Sequence, residues 1–446
     1  MKSRPLPQNL RALVVASLAC AGVWLSPSAA SAEAALLVEA DSGRVLYAEN
    51  ATIPWYPASV TKIMTSYVIL KAVKEGRITL DTPLTVSENA VAQSPTKMGF
   101  AKGTQVTVDN ALKMLMVKSA NDMAVALAEG LSGSIENFST EMNKAAERLG
   151  MTQTSYVNPN GLPADGQITS ARDLAILARA VIHELPEYEL YFHISAIKFG
   201  KRIIHNYNTL IDRYPGADGM KTGFICASGF NLVATATRGS RRLIAVVLGS
   251  HSGMQRAEKA ARLLERGFTG GGGLSWLVPS VGKVDSLQPV NVDPPNLRDE
   301  MCGGNGRRAR ARADSEGSLA ETDSDSLGAM AGYQLGPKPQ GSLLGPLVPS
   351  MQPIPVFAGL KQPAGMELAS GPSKKKKARP AATQTAAAPA DHPAGTSKPK
   401  AADKPAPASS KPKAAAEKPK AAADTSAASQ PKPKPKPKPK PVAVTQ

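Results

Sequence analysis

Residues 34–268 of this 446-residue chain are predicted to form an α+β fold. Three observations lead there. Strand-like runs open the segment, amphipathic helical patterns fill its middle, and a second group of strand-like runs is followed by a closing helix. The opening pair is Ala35-Leu36-Leu37-Val38-Glu39-Ala40 and Arg44-Val45-Leu46-Tyr47, joined by Asp41-Ser42-Gly43, which suits a hairpin turn. A helix is expected to begin near Ser59, with Ile63, Tyr67 and Leu70 on one face at i, i+4 and i+7. Further helical patterns cover 108–116, 123–130, 135–149 and 171–185. Ser170 and Asp173 flank the start of the last as a capping box would, with Asp in place of Glu. Strands follow at 218–222, 229–237 and 242–248, then a helix at 254–268, and Gly270-Gly271-Gly272-Gly273 closes the region. Strands at both ends of one apolar segment predict a single sheet assembled from both ends.

The flanks differ in composition. Lys2, Arg4 and Arg11 precede the apolar run 12–25, and Ala30-Ser31-Ala32 gives a small-x-small pattern. Residues 1–32 therefore read as an export signal, with a mature start at Glu33; an uncleaved anchor is the alternative, for which the apolar run is short. Cys20 resembles a lipoprotein cysteine only weakly, because an aliphatic residue three positions earlier is missing. Of the formal net charge of +17, most sits in 372–446, which holds sixteen Lys and one Arg against three Asp and one Glu. The folded part is thus close to ordinary in charge. The tail has no aromatic residue and ends in alternating Pro-Lys over 431–441, so it is expected to stay disordered, extended and polyproline-like. Residues 270–371 read as a Gly/Pro-rich, mostly irregular linker, and 33–269 as one folded domain. Cys226 and Cys302 lie far apart in the chain. An oxidising compartment would permit a disulfide, but their spacing does not argue for one, and buried or idle thiols are the simpler reading.

Three short motifs occur in order: Ser59-Val60-Thr61-Lys62, Ser119-Ala120-Asn121 and Lys221-Thr222-Gly223. Taken singly, Ser59 reads equally as a helix N-cap, Ser119-Ala120-Asn121 as loop punctuation and Lys221-Thr222-Gly223 as a strand ending in a turn. Their order and flanks favour chemistry. Residues i and i+3 share a helix face, so the Lys62 amine can reach the Ser59 hydroxyl. A serine hydroxyl needs a base to become a nucleophile, and a lysine is a base only when burial or a second cation depresses its pKa. Lys221 is the candidate second cation. The Ser59 backbone N–H, at a helix start, suits an oxyanion, and Phe224 is the candidate second donor. An extended peptide can pair along 222–224. Ser119 is placed to relay a proton to a leaving amine, and Asn121 to orient Lys62 or a substrate amide.

In these motifs the chain resembles the low-molecular-mass D-alanyl-D-alanine carboxypeptidases of the S11 peptidase family. Pro57-Ala58-Ser59-Val60-Thr61-Lys62-Ile63-Met64-Thr65 is similar to the family's active-serine helix, and Asn158-Pro159-Asn160-Gly161-Leu162 to its N-P-x-G-L loop. Ser170-Ala171-Arg172-Asp173 resembles its S-A-x-D helix start, and Asp218-Gly219-Met220-Lys221-Thr222-Gly223-Phe224 its third-motif strand. The resemblance implies a penicillin-binding protein/β-lactamase-like domain: an antiparallel sheet flanked by helices, with a helical subdomain. It implies Ser59 as the acyl-enzyme serine, Lys62 as proton acceptor, Ser119 and Asn121 as the second motif, and Lys221, Thr222, Gly223, Phe224 and Arg256 as substrate-binding. Peptidoglycan stem peptides would be the substrate, β-lactams inhibitors, and no metal or cofactor would be required.

Typical members continue into a β-rich domain and an amphipathic membrane helix. Neither is recognisable here, and the tail is expected to associate electrostatically with anionic envelope components or to act as a solvated spacer. A class A β-lactamase would carry an E-x-x-L-N-like element after the second motif, which is absent. G-x-S-x-G and H-E-x-x-H are absent too, and export with no aromatic residues in the tail disfavours nucleic acid. D,D-endopeptidase action uses the same residues, and a non-catalytic cell-wall binder is disfavoured by their retention.

Overall fold

The computed structural model describes residues 33–270, 282–303 and 341–361, together with the backbone of the strand Glu321–Asp323. The expected signal segment and the Lys/Pro tail lie outside the described residues. Among those described, no helix is long and apolar enough to cross a membrane.

The sheet is built from both ends of the segment. Its strands are β1 (Ala34–Glu39), β2 (Val45–Glu49), β7 (Ala217–Ile225), β8 (Gly229–Arg238) and β9 (Arg241–Ser250), in the order β2-β1-β9-β8-β7, all antiparallel. Period-2 alternation gives the sheet two apolar faces. Leu36, Val38, Val233, Ile244 and Val246 face the larger core; Leu37, Leu232, Leu243, Ala245 and Val247 face the smaller one. The smaller core is closed by α8 (Gly253–Thr269) through Ala257, Ala260, Ala261 and Leu264.

The larger core centres on α1 (Lys62–Lys74), entered through a 3-10 turn over Ala58–Thr61. Every residue of α1 from Lys62 to Leu70 is buried, so this helix is enclosed on all sides rather than amphipathic. Around it lie α3 (Val108–Val117), α4 (Asn121–Ser132), α5 (Ile135–Leu149) and α6 (Ala171–Glu184). Thr107, Ser134, Ser170 and Ser252 each accept a hydrogen bond from a first-turn N–H, and Gly133 and Gly150 end α4 and α5 in the left-handed region. The capping box at α6 forms only by half. Ser170 accepts from Asp173 N, but the Asp173 carboxylate turns away, accepting from Gln153 N and Thr154 Oγ1 and pairing with Arg172.

Short elements complete the domain: β3 (Pro83–Thr85) with β4 (Gln105–Thr107), α2 (Glu88–Ala92), α7 (Leu190–His193), and β5 (Ala196–Phe199) with β6 (Arg202–His205). The stretch expected to be a linker returns to the domain in its described parts. β10 (Glu321–Asp323) pairs with β6, β11 (Ile354–Val356) pairs in parallel with β5, and Val284, Leu297, Met301, Leu344 and Val356 are buried. Scattered apolar residues without a period suffice for this, because each fills one gap on a surface that is already built.

The two cysteines are paired, contrary to the expectation of idle thiols. Cys226, in the β7–β8 turn, is bonded to Cys302 at the end of the short helix α9 (Arg298–Cys302), with a Cα–Cα distance of 5.6 Å. Leu297 N donates to Ala227 O at 2.9 Å, so backbone and disulfide dock this segment together. Closing a loop across a separation of 76 residues restricts the unfolded chain. Replacing both cysteines by alanine is expected to lower unfolding stability by about 2–4 kcal/mol, read as a lower urea midpoint with a folded protein retained.

Candidate active site

Three segments converge on the start of α1. Ser59 sits in the 3-10 turn and is partly exposed, whereas Lys62, one turn on, is fully buried. Lys62 Nζ lies 2.9 Å from Ser59 Oγ, 2.7 Å from Asn121 Oδ1 and 2.8 Å from the backbone oxygen of Asn160. Asn121 is the first residue of α4, and its own Nδ2 donates to Ser94 O at 2.9 Å, which fixes Oδ1 toward the lysine. Ser119, on the turn between α3 and α4, lines the same cleft, and its buried Oγ has no hydrogen-bond partner among the described residues.

The turn carrying Ser59 is held from several sides. Asn231 of β8 donates to the carbonyls of Tyr56 and Pro57, and Gln167 donates to Thr61 Oγ1 at 3.2 Å. Two backbones approach it at distances only glycine allows. A Cβ on Gly223 of β7 would lie 2.8 Å from Ser59 N, and one on Gly161, itself at φ +80°, would lie 1.8 Å from Ala58 O. Ala58 at φ 50° and Ser119 at φ 59° are two of the three non-glycine residues with positive φ among those described. Such conformations cost of order 1 kcal/mol or more each and persist where neighbours impose them.

The cleft beside Ser59 encloses about 220 Å³ and is lined by Ser119, Asn121, Leu162, Thr222, Phe224 and Arg256 among others. One wall is β7, the edge strand of the sheet. Phe224 packs on Phe230 with ring centroids 4.3 Å apart, and the guanidinium of Arg256, from α8, stands 5.8 Å from the Phe230 ring. Lys221 is fully buried and donates to Thr222 O at 3.1 Å. Every residue singled out from the sequence is therefore in or beside one cleft.

The electrostatics follow from burial. Loss of solvent pushes the Lys62 amine well below its ordinary value, the Lys221 charge pushes it further, and Asp122 opposes them. Burial and then the Arg256 charge push Lys221 down to about 7. The neighbours of Lys62 suit a neutral amine: the Asn121 and Asn160 oxygens can only accept, which takes two N–H groups. The lone pair then remains for the one neighbour that can donate, the Ser59 hydroxyl. Among the described residues no group of three or more His, Cys, Asp or Glu side chains is placed to hold a metal ion.

Several contributors were not singled out as site residues from the sequence. Asn160 acts through its carbonyl, in a loop stapled by Gly161 N to Asn158 Oδ1 and Leu162 N to Asn160 Oδ1. Asp122 accepts from Met98 N and Gly99 N, and Thr96 Oγ1 donates to Ser119 O, so the second motif also carries the 94–99 wall of the cleft. Asp122 directly follows Asn121, and the Asn158–Leu162 loop was already a family resemblance; proximity to the motifs was the available signal.

A partly exposed serine bonded to a buried lysine beside an edge strand defines the class of site. The chain belongs to the D-alanyl-D-alanine carboxypeptidase family, whose profile matches residues 23–252. It is 37% identical over 254 residues to the D-alanyl-D-alanine carboxypeptidase DacF of Bacillus subtilis (strain 168), covering 56% of this chain and 65% of that protein. It is 40% identical over 244 residues to DacC of Escherichia coli (strain K12), covering 53% and 61%. The match thus spans less than two thirds of these curated relatives. Among solved structures, penicillin binding protein 5 from Haemophilus influenzae is 37% identical with a TM-score of 0.52, covering 55% of this chain and 73% of that one.

Gly161→Ala would set a side chain against the Ala58 carbonyl in a left-handed conformation. It is expected to cost about 3 kcal/mol in urea unfolding and to displace Ser59, whereas Gly166→Ala, also at positive φ but without a close backbone neighbour, should cost about 1 kcal/mol.

Proposed function

We propose that the protein is a serine D,D-carboxypeptidase that removes the terminal D-alanine from peptidoglycan stem peptides through an acyl-enzyme on Ser59. The observation that carries this reading is the buried Lys62 amine at 2.9 Å from Ser59 Oγ, with two obligate acceptors occupying its N–H groups. Membership of the carboxypeptidase family supports the same chemistry.

In this reading Lys62 takes the Ser59 proton as Oγ attacks the carbonyl of the penultimate residue. The oxyanion is met by the backbone N–H groups of Ser59 and Phe224. The C–N bond breaks as the leaving amine receives a proton through the Ser119 hydroxyl, releasing D-alanine. Water then adds to the ester as Lys62 takes its proton; the bond from the acyl carbon to Ser59 Oγ breaks, Lys62 returns the proton to Oγ, and the shortened peptide leaves as a carboxylic acid. The substrate's terminal carboxylate enters a cleft that holds two cations, Lys221 and Arg256; burial, and then the Arg256 charge, lower the pKa of Lys221. An anion offsets those charges, and Thr222 adds a hydroxyl. The peptide itself pairs with the β7 edge at Gly223 and Phe224. β-Lactams, as mimics of this peptide end, would acylate Ser59. Action at the cell wall follows from that substrate; with the sequence-based export signal it places the enzyme in the envelope, where the basic tail would meet anionic polymers.

Muropeptides with pentapeptide stems should release D-alanine with the wild type. Ser59→Ala should slow this by about 10⁴-fold or more and abolish labelling by penicillin. Retained hydrolysis in that variant would overturn the reading.

A bell-shaped dependence of kcat/KM on pH is expected. Activity rises with pH as Lys62 loses its proton, and falls above about 7 as Lys221 loses its own. Lys221→Arg, which keeps its charge, should move the alkaline limb upward by more than one pH unit while leaving the acid limb.

A further inference from the structure

A second pocket, of about 230 Å³, adjoins the cleft and shares Gly161, Leu162 and Ile225 with it. Its position along β7 has a direction. Lys221 stands at one end of the motif, Gly223 is opposite Ser59, and Ile225 and Ala227 line the second pocket. A peptide whose terminal carboxylate lies at Lys221 and whose scissile carbonyl lies at Ser59 must carry its preceding residues toward Ile225 and Ala227.

The charged residues lining this pocket are Asp165, on the loop that follows Leu162, and Arg298. They form no ion pair with each other, and Arg298 pairs with no described carboxylate. The backbone that presents Arg298 is fixed on both sides. Leu297 is buried and bonded to Ala227 O, Met301 is buried against Gly229, and Cys302 is tied to Cys226 in the β7–β8 turn. The side chain of Arg298 remains exposed. A backbone held on both sides suits recognition, because only the Arg298 side chain, and not the main chain that carries it, remains to be ordered when a ligand arrives.

We propose that Arg298 is a specificity-determining residue that binds an ionised carboxylate on the peptide upstream of the scissile bond, and that the Cys226–Cys302 bridge is its positioning device. The inference rests on the carboxypeptidase reading and deepens it. Guanidinium and carboxylate meet here in partial contact with solvent, so the gain is modest, and Asp165 on the neighbouring wall disfavours a second anion.

The test uses the full chain and two peptides with the same D-alanyl-D-alanine end. One carries a free carboxylate within three residues upstream of the scissile bond; in the other that carboxylate is amidated. The wild type should favour the free carboxylate by about fivefold in kcat/KM. Arg298→Ala should remove that preference by slowing the charged peptide, leave the amidated one within twofold, and leave the rate of penicillin acylation unchanged. The double variant Cys226→Ala, Cys302→Ala should likewise lose most of the preference while keeping hydrolysis of the amidated peptide. Equal rates for both peptides in the wild type, or an equal loss on both in Arg298→Ala, would overturn the proposal while leaving the carboxypeptidase reading standing. A wild type that cleaves neither peptide and takes up no penicillin would overturn that reading itself.

Discussion

Placing an amine where water cannot reach it is costly, and the larger core of this molecule is arranged around one such group. Lys62 is enclosed completely at the start of a helix that is itself surrounded by others. A protonated amine there would face the field of Lys221 with only Asp122 to offset it. Giving up the proton removes most of the penalty, provided that the remaining N–H groups find acceptors. Asn121 and the Asn160 carbonyl provide them. Each acceptor comes from a different segment, so satisfying one nitrogen draws the Ser119–Asn121 turn and the Asn158–Leu162 loop onto the helix that carries Ser59.

The strand wall is set by a complementary constraint. β7 comes so close to the Ser59 turn that no side chain fits between them at Gly223. The hydroxyl consequently lies within reach of a strand edge whose outer groups are not engaged by another strand of the sheet. In the proposed mechanism, nucleophile, oxyanion donors and peptide-binding edge are thus parts of one contact. The unusual backbone conformations of Ala58 and Ser119 fall on either side of it, where packing over-determines the chain.

Much of this was legible in the amino acids. The helix over Ile135–Leu149 carries its boundaries in Ser134 and Gly150, and the long strands β8 and β9 announce themselves by apolar runs. The three motifs marked the side chains of the cleft. What escaped had no residue-type signature. Asn160 contributes a main-chain oxygen, which any residue possesses. β3 and β4 are three residues each, too short to display a period of two. The partner of Cys226 lies 76 positions away, beyond a stretch with no pattern of its own, so the pairing depends on where the domain surface guides the returning chain. Asp173 shows a local rule losing to a tertiary one: the cap site was available, but Gln153, Thr154 and Arg172 together made a better environment for its carboxylate.

The place of β1 between β2 and β9 bears on how the polypeptide acquires its shape. β1 is flanked by β2, its immediate successor, and by β9, about two hundred residues further on. During synthesis the hairpin of β1 and β2 can form early, but it has only one partner and an apolar surface on each side until Arg241–Ser250 has emerged. Closure of the sheet therefore waits for nearly the whole domain, which makes for a late, non-local and comparatively slow final collapse. A nascent chain of this topology stays unfinished for most of its elongation, and so open to whatever machinery handles extended polypeptides.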